Sequence, residues 1–490
     1  MILFSVVVLF LCAGILTPKE MLEGFSNKGM ITVALLFLVS EGIRQSGTLG
    51  QVIKKLLPQG KTTVFKAQLR ILPSVAFISA FLNNTPVVVI FAPIIKHWAK
   101  SVNLPATKFL IPLSYVTILG GICTLIGTST NLVVHGMILE AGFEGFSMFE
   151  LGKVGIFIAI AGIIYIFLFS KRLLPDARPD TAVPDEEIEE GEKFHRVEAV
   201  LGARFPGINK KLKDFNFQRH YGAEVKEIKT RNGQRFVTNL DDVVLHEGDT
   251  LVVMADDTFI PTWGESSVFV LLTNGNEPDT TGKKKRWFAL LLLVLMIVGA
   301  TVGELPITKE MFPDIKLDMF FFVSITTIIM AWTNLFPARK YTKYISWDIL
   351  ITIACAFAIS KAMVNSGVAD SVAKFIIGLS DDYGPHVLLA MVFIITNLFT
   401  ELITNNAAAA LAFPLALSIS AQLGVSPTPF FVVICMAASA SFSTPIGYQT
   451  NLIVQGIGNY KFTDFVRIGL PLNIITFLIS IILIPLIWNF

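Results

Sequence analysis

Charge is scarce in this sequence, cysteine and histidine are scarcer, and no basic tract interleaved with aromatics occurs in it. Only 16% of the 490 residues are charged while 53% are apolar, against about 25% charged in an ordinary soluble domain. The formal net charge of +2 gives no reason to expect a nucleic-acid partner. The four cysteines, Cys12, Cys123, Cys355 and Cys435, are scattered through apolar stretches without paired spacing, which argues against a disulfide or metal framework. The histidines form no HExxH or comparable ligand set. No nucleophile–base pair stands out, so an enzyme is not expected.

What the chain has in abundance is long apolar runs. Ile2–Leu16, Met30–Val39, Val154–Ser170, Trp287–Val302, Met319–Trp332 and Leu470–Trp488 approach or reach the roughly 20 residues that cross a bilayer. Ile2–Leu16 lacks the basic leader of a signal peptide and reads as a first, short membrane helix. The pattern is that of an all-α polytopic membrane protein.

The charge that does exist is concentrated. Of 76 charged residues (39 basic plus 37 acidic), 37 fall between Asp176 and Arg286. That window reads as a water-exposed insert dividing residues 1–174 from residues 287–490. It opens with an acidic linker, 175–195, carrying Asp185-Glu186-Glu187, Glu189-Glu190 and Glu192, a solvated tether. Residues 196–274 read as a small α/β domain. Ala223–Ile228 and Arg235–Val237 flank Asn232-Gly233, and Val243–Leu245 and Thr250–Met254 flank Glu247-Gly248-Asp249; both are hairpin signatures. A basic linker, 275–286, closes the insert. Lys171-Arg172 and Lys283-Lys284-Lys285-Arg286 abut the flanking membrane helices, which puts the insert on the cytoplasmic side.

The membrane part repeats itself. Phe37–Gly47 (FLVSEGIRQSG) matches Phe357–Gly367 (FAISKAMVNSG) at an offset of 320. Cys123–Gly136 (CTLIGTSTNLVVHG) matches Ser443–Gly456 (STPIGYQTNLIVQG) at the same offset, with 8 of 14 positions identical. Between these blocks, Asn83-Asn84-Thr85 matches Thr404-Asn405-Asn406 at an offset of 321, each followed by a proline, Pro93 or Pro414. Chance similarity between apolar helices does not put the same polar residues in the same order three times. Matching interruptions in two halves mark repeat-built transporters, whose sites lie between the repeats.

Each half therefore carries two polar breaks, FLNNTP at Phe81–Pro86 with IGTSTN at Ile126–Asn131, and LITNNA at Leu402–Ala407 with IGYQTN at Ile446–Asn451. Non-helical backbone at membrane depth is tolerated where it is buried in protein or lines a cavity. Freed carbonyls with asparagine oxygens suit a hard cation, and freed amides at helix N-termini suit an anion. The plain alternative for any one break is polar glue between packed helices; four at matched positions favour a shared site. Glu41, Arg44, Asp348, Lys361 and Glu401 lie nearer segment ends, so no titratable relay is evident within the membrane and sodium fits better than protons. Glu401, three residues before Thr404, is either an ion-linked group or a hydrogen-bond partner that orients its helix.

At these four breaks the sequence resembles the divalent anion:sodium symporter family, which carries a Ser-Asn-Thr motif in each of two re-entrant hairpins. Here Asn83-Asn84-Thr85 and Thr404-Asn405-Asn406 stand in place of those motifs, and Gly127-Thr128-Ser129-Thr130-Asn131 and Gly447-Tyr448-Gln449-Thr450-Asn451 stand at the two turns. The resemblance implies two inverted repeats, each with a re-entrant hairpin and a broken helix. It implies a sodium site from Ser79, Asn83, Asn84 and Gly127, and a second from Thr400, Ile403, Asn405 and Gly447. The substrate would meet Asn84, Thr85, Asn405 and Asn406, with Thr128, Ser129, Tyr448 and Gln449 from the turns. Tyr448 and Gln449 replace a compact Thr-Pro of dicarboxylate carriers, which reads as a smaller pocket with more donors, suited to sulfate. The insert resembles the C-terminal regulatory domain of the TrkA type, from GINKKLKDFNFQRHYGAEVKEIKTRNGQ to LHEGDTLVVMAD; relatives usually carry two such domains, and there is room here for one. Its expected roles are binding a small effector or making contacts in a homodimer. The rival readings are a dicarboxylate carrier of the same architecture, a channel gated by the insert and an arsenite-type exporter. For the channel the sequence offers no filter motif.

Overall fold

The computed structural model describes residues 2–490 apart from 177–193, 203, 231–233, 257–258, 260–262, 264–267, 274–282, 313–314 and 379–383. Most of the acidic linker, the Asn232-Gly233 turn and part of the basic linker lie outside the described residues. The longer helices before the insert are α1 (Ile2–Cys12), α2 (Lys28–Gln45), α3 (Thr48–Leu56), α4 (Val64–Ser79), α5 (Asn84–Ser101), α6 (Leu110–Gly121), α7 (Ser129–Glu140) and α8 (Gly152–Leu173). After it come α9 (Lys283–Gly303), α10 (Met319–Trp332), α11 (Trp347–Asn365), α12 (Val368–Gly378), α13 (Gly384–Leu402), α14 (Asn405–Leu423), α15 (Thr428–Ser439), α16 (Gln449–Gly458) and α17 (Phe462–Ile487). Among the described residues, seven helices are long and apolar enough to cross a membrane. The basic run Lys283–Arg286, read as linker, forms the first turn of α9.

Helix ends fall where local chemistry puts them. Asn27 caps α2 by accepting from the Gly29 and Met30 amides, and Thr63 caps α4 through the Lys66 amide. The repeat is visible in these boundaries. α2 and α11 end at Gln45 and Asn365, 320 apart, and each is followed two residues on by a glycine in the left-handed region, Gly47 at φ 68° and Gly367 at φ 71°. Only glycine takes that turn without strain. α5 and α14 begin at Asn84 and Asn405, and α7 and α16 at Ser129 and Gln449.

One packed group joins α4 to α8 with α13 to α17: α4 lies on α6, α8 on α17, α13 on α15, α5 on α16, and α14 on α7. A second group holds α2 against α10, α9 against α10, and α1 against α11. The groups meet where α11 packs on α14 and α2 on α7. Outward faces are apolar. Leu470, Ile474, Leu478, Ile482 and Leu486 recur every fourth residue of α17 and are all at least half exposed, as are Ile156, Ile160, Ile164 and Leu168 on α8. An uncovered stripe of this length is what lipid tails cover.

The insert is a five-stranded antiparallel sheet in the order β3-β2-β4-β1-β5, from β1 (Phe194–Leu201), β2 (Glu224–Lys229), β3 (Arg235–Phe236), β4 (Thr250–Asp256) and β5 (Phe269–Thr273). β1 thus starts inside the stretch read as linker. Its own core gathers Val197, Ala199, Phe205, Phe217, Leu251, Val253 and Phe269. The first expected hairpin is formed, β2 pairing with β3 through Ile228 and Phe236. The second is not. Val243–Leu245 turns away from β4 and pairs upstream instead, the Leu245 amide donating to Lys210 O and the Leu212 amide to Val243 O. The upstream segment satisfies its backbone groups while β4 is already flanked by β1 and β2.

Candidate functional site

Two short breaks, between α4 and α5 and between α13 and α14, and two longer turns, between α6 and α7 and between α15 and α16, converge. In the first half, α4 stops at Ser79 and α5 restarts at Asn84 after a short break. Ser79 and Asn84 are buried, and the Ser79 hydroxyl donates to Asn84 Oδ1 at 2.8 Å. The turn between α6 and α7 closes onto this tip. A Cβ on Gly121 would lie 2.7 Å from Asn84 Oδ1 and 3.1 Å from Gly127 O, and one on Gly127 would lie 2.5 Å from Gly121 O and 2.9 Å from Ala80 O. Only glycine permits that approach. It leaves carbonyls of Ala80, Gly121 and Gly127 beside the oxygens of Ser79 and Asn84, with no cationic side chain among them, a donor set for a small hard cation. Asn83, on the same tip, lines a cleft with Ser40, Phe81, Ile126, Ser129 and Leu293.

The second half repeats the arrangement. A Cβ on Gly447 would lie 2.2 Å from Thr400 O and 2.1 Å from Ser441 Oγ. The Thr400 hydroxyl donates to Ala438 O at 2.7 Å. Ile403 is 38% exposed at the tip, and the Asn405 Oδ1 accepts from the Asn406 amide at 2.9 Å.

Both turns are braced by residues that sequence reasoning left without a role. Asn131 donates through Nδ2 to Thr124 O at 2.9 Å and Gly121 O at 3.4 Å; Asn451 donates to Ser441 O at 2.8 Å and Thr444 O at 3.1 Å. Thr124 donates to Ala80 O, and Thr444 to Glu401 O. Their signal was present, since both asparagines and both threonines sit at identical positions of the matched 14-residue blocks. Glu401, which has Ala80 as its counterpart, accepts from the Ser443 amide at 2.8 Å and from Asn473 Nδ2 at 2.7 Å. That is the geometry of a group holding the second turn in place. Asp348 lies at the start of α11, ion-paired with Arg204 of the insert.

Tips and turns pair crosswise between the halves. Asn84 Nδ2 donates to the Tyr448 hydroxyl at 2.7 Å, and Thr85 donates to Gln449 Oε1 at 3.3 Å. Ser129 and Thr130 each donate to Asn406 Oδ1 at 3.2 Å. The Tyr448 hydroxyl also meets Thr128 Oγ1 at 2.9 Å and hydrogen-bonds with Asn405. So Asn84 and Asn405 share one partner, and the eight residues Asn84, Thr85, Thr128, Ser129, Asn405, Asn406, Tyr448 and Gln449 form one neutral, donor-rich cluster. Four helices, α5, α7, α14 and α16, begin at it. The positive ends of their dipoles give it a positive potential without a formal charge.

The comparisons with known proteins agree with a transporter. The model of the citrate transporter family (CitMHS) matches residues 1–424 and 315–489. An uncharacterized transporter of Synechocystis sp. is 30% identical, over 99% of this chain and 93% of its own length. A probable sodium/sulfate cotransporter of Chlamydomonas reinhardtii is 23% identical over 94% of this chain and 82% of its own length. Sodium/sulfate cotransporter 2 of the same alga is 31% identical over 57% of this chain and 31% of its own length. These relatives are transporters and not enzymes, and the apolar helices make this chain a multi-pass membrane protein. By the extent of the match, the chain belongs to the citrate transporter family.

Proposed function

We propose that this protein is a sodium-coupled symporter that imports a divalent anion, sulfate above others, by alternating access. The observation that carries the reading is the crosswise cluster, in which neutral amides and hydroxyls from both halves meet one another at the start of four helices. Such a place suits a small dianion, and the flanking oxygen sets at Ser79, Asn84 and Gly127 and at Thr400, Asn405 and Gly447 suit sodium, cargo whose charge the anion needs beside it. Asn83 and the Ile403 carbonyl complete the two sodium sets. The Tyr448 phenol narrows the space between Asn84 and Asn405, which favours a compact tetrahedral anion. The names of the algal relatives point the same way.

Within this reading the halves are inverted repeats with re-entrant hairpins, the insert is a cytoplasmic domain of the TrkA C-terminal type, and the protein works as a homodimer in the cell membrane. The name of the family favours one rival, a carboxylate carrier of the same architecture. Uptake of labelled sulfate into proteoliposomes, with phosphate, succinate and citrate as competitors and with or without a sodium gradient, decides between them. Asn84→Ala and Asn405→Ala, made singly, are expected to abolish or sharply weaken sodium-dependent uptake in folded protein. Undiminished sodium dependence in both would sink the assignment.

A further inference from the structure

The insert does not hang free of the membrane part. It grips two of the helices that begin at the site, α5 in its second half and α16 along one face. Lys96, on α5, reaches both oxygens of Glu198 on β1 at 2.9 Å, with both side chains about four-fifths buried. Glu198 also receives Lys229 of β2 at 3.3 Å, and that lysine is 4% exposed. Burial alone would push the Glu198 carboxyl up, but Lys96 and Lys229 outweigh it and hold the group down to about 2, so it stays charged at any physiological pH.

The second grip is steric and falls on α16. A Cβ on Gly456 would lie 2.7 Å from Thr250 Oγ1, 3.3 Å from Gly248 O and 3.5 Å from Val200 Cγ1, and one on Gly248 would lie 2.6 Å from Leu452 Cδ1. The β1 and β4 ends of the sheet are thus seated against one face of α16, backbone to backbone, at glycines. A third contact goes elsewhere: Arg204 pairs with Asp348 at the start of α11, the helix that packs on α14 and α1. One small domain therefore bridges α5 and α16, one from each half, to α11.

We infer that the insert is a built-in brake, clamping the two site-bearing helices α5 and α16 to each other and to α11, and that turnover requires its release. Any cycle that carries α5 and α16 past α11 must break the Lys96–Glu198 contact, the Gly456–Thr250 contact or the Arg204–Asp348 pair. The clamp stabilises one member of the cycle and slows exchange with the other. It acts from outside the cluster, through the balance between those states, so its release is read first as a change in rate. The inference rests on the assignment of the site to the first turns of α5 and α16.

Lys96→Gln tests it, because Glu198 keeps Lys229 and the insert keeps its fold; Lys96→Arg preserves the pair as a control. Docking is read without transport, by placing a cysteine at Leu452 (with Cys12→Ser) and measuring its labelling by a membrane-impermeant maleimide. Lys96→Gln is expected to raise that labelling several-fold and to raise the maximal rate of sodium-driven sulfate uptake about fivefold, with Lys96→Arg like the wild type. Unchanged labelling overturns the clamp. Increased labelling with an unchanged or lower maximal rate overturns the brake. Absence of sodium-dependent uptake in the unmodified protein would instead overturn the function proposed above, and the labelling would still judge the docking.

Discussion

Tyr448→Phe isolates one hydroxyl at the meeting point of both halves. The ring is 6% exposed and stays in place, while the oxygen lost is the one that accepts from Asn84 Nδ2 at 2.7 Å and meets Thr128 at 2.9 Å. If that hydroxyl turns to a bound dianion, the interaction removed is a hydrogen bond to a charged group, about 1.5–3 kcal/mol. At about 1.4 kcal/mol per decade the affinity falls roughly 10- to 150-fold. The alternative arithmetic has the opposite sign. If Tyr448 only competes with the anion for the Asn84 amide, its removal frees a buried donor and the anion binds more tightly. The assay is initial uptake of labelled sulfate at saturating sodium across a range of sulfate concentrations, with thermal unfolding in detergent as the folding control. The expected result is a KM raised at least about tenfold with a smaller change in maximal rate. A KM equal to or below that of the wild type refutes a donor role for this phenol.

Gly447→Ala places a methyl group 2.2 Å from the Thr400 carbonyl oxygen and 2.1 Å from Ser441 Oγ, so the turn must leave the tip; sodium activation of uptake is expected to be lost, measured against Gly378→Ala outside the cluster, where a Cβ meets nothing within 4 Å. Glu198 gives a pH signature. Its carboxyl lies at about 2 in the fold against an ordinary 4.5, a drop of about 2.5 units worth about 3 kcal/mol. A depressed carboxyl contributes that stability in full above about pH 4.5 and loses it as pH falls toward 2. Thermal unfolding of the full-length protein from pH 7 to pH 3 is therefore expected to show a gap between wild type and Glu198→Gln that narrows by about half on acidification, and a constant gap would contradict the ion pairing with Lys96 and Lys229.

Most of the framework could be read along the chain because it is local. Asn84, Asn405, Ser129 and Gln449 start helices, and each follows an interruption of an apolar run by residues that release backbone groups, a signal contained in five or six letters. The site's partnerships could not be read that way. Asn84 and Tyr448 are 364 residues apart, and nothing in either neighbourhood says which tip meets which turn. Asn131 and Asn451 were visible as shared letters, but their work, holding carbonyls of a turn ten residues away, emerges only once the chain has folded back. Val243–Leu245 shows the opposite error, where a local hairpin pattern lost to a competing partner at residues 209–212. Lys96 carried no signal, since a lysine near a helix end is ordinary until Glu198 arrives from another domain.

Thr128 and Tyr448 occupy the same position in their respective halves, 320 residues apart, and they touch. Both side chains are buried, so the two positions share one fixed volume, filled here by a phenol from one side and a short hydroxyl side chain from the other. Substitutions there are therefore coupled: a larger residue at position 128 requires a smaller one at position 448.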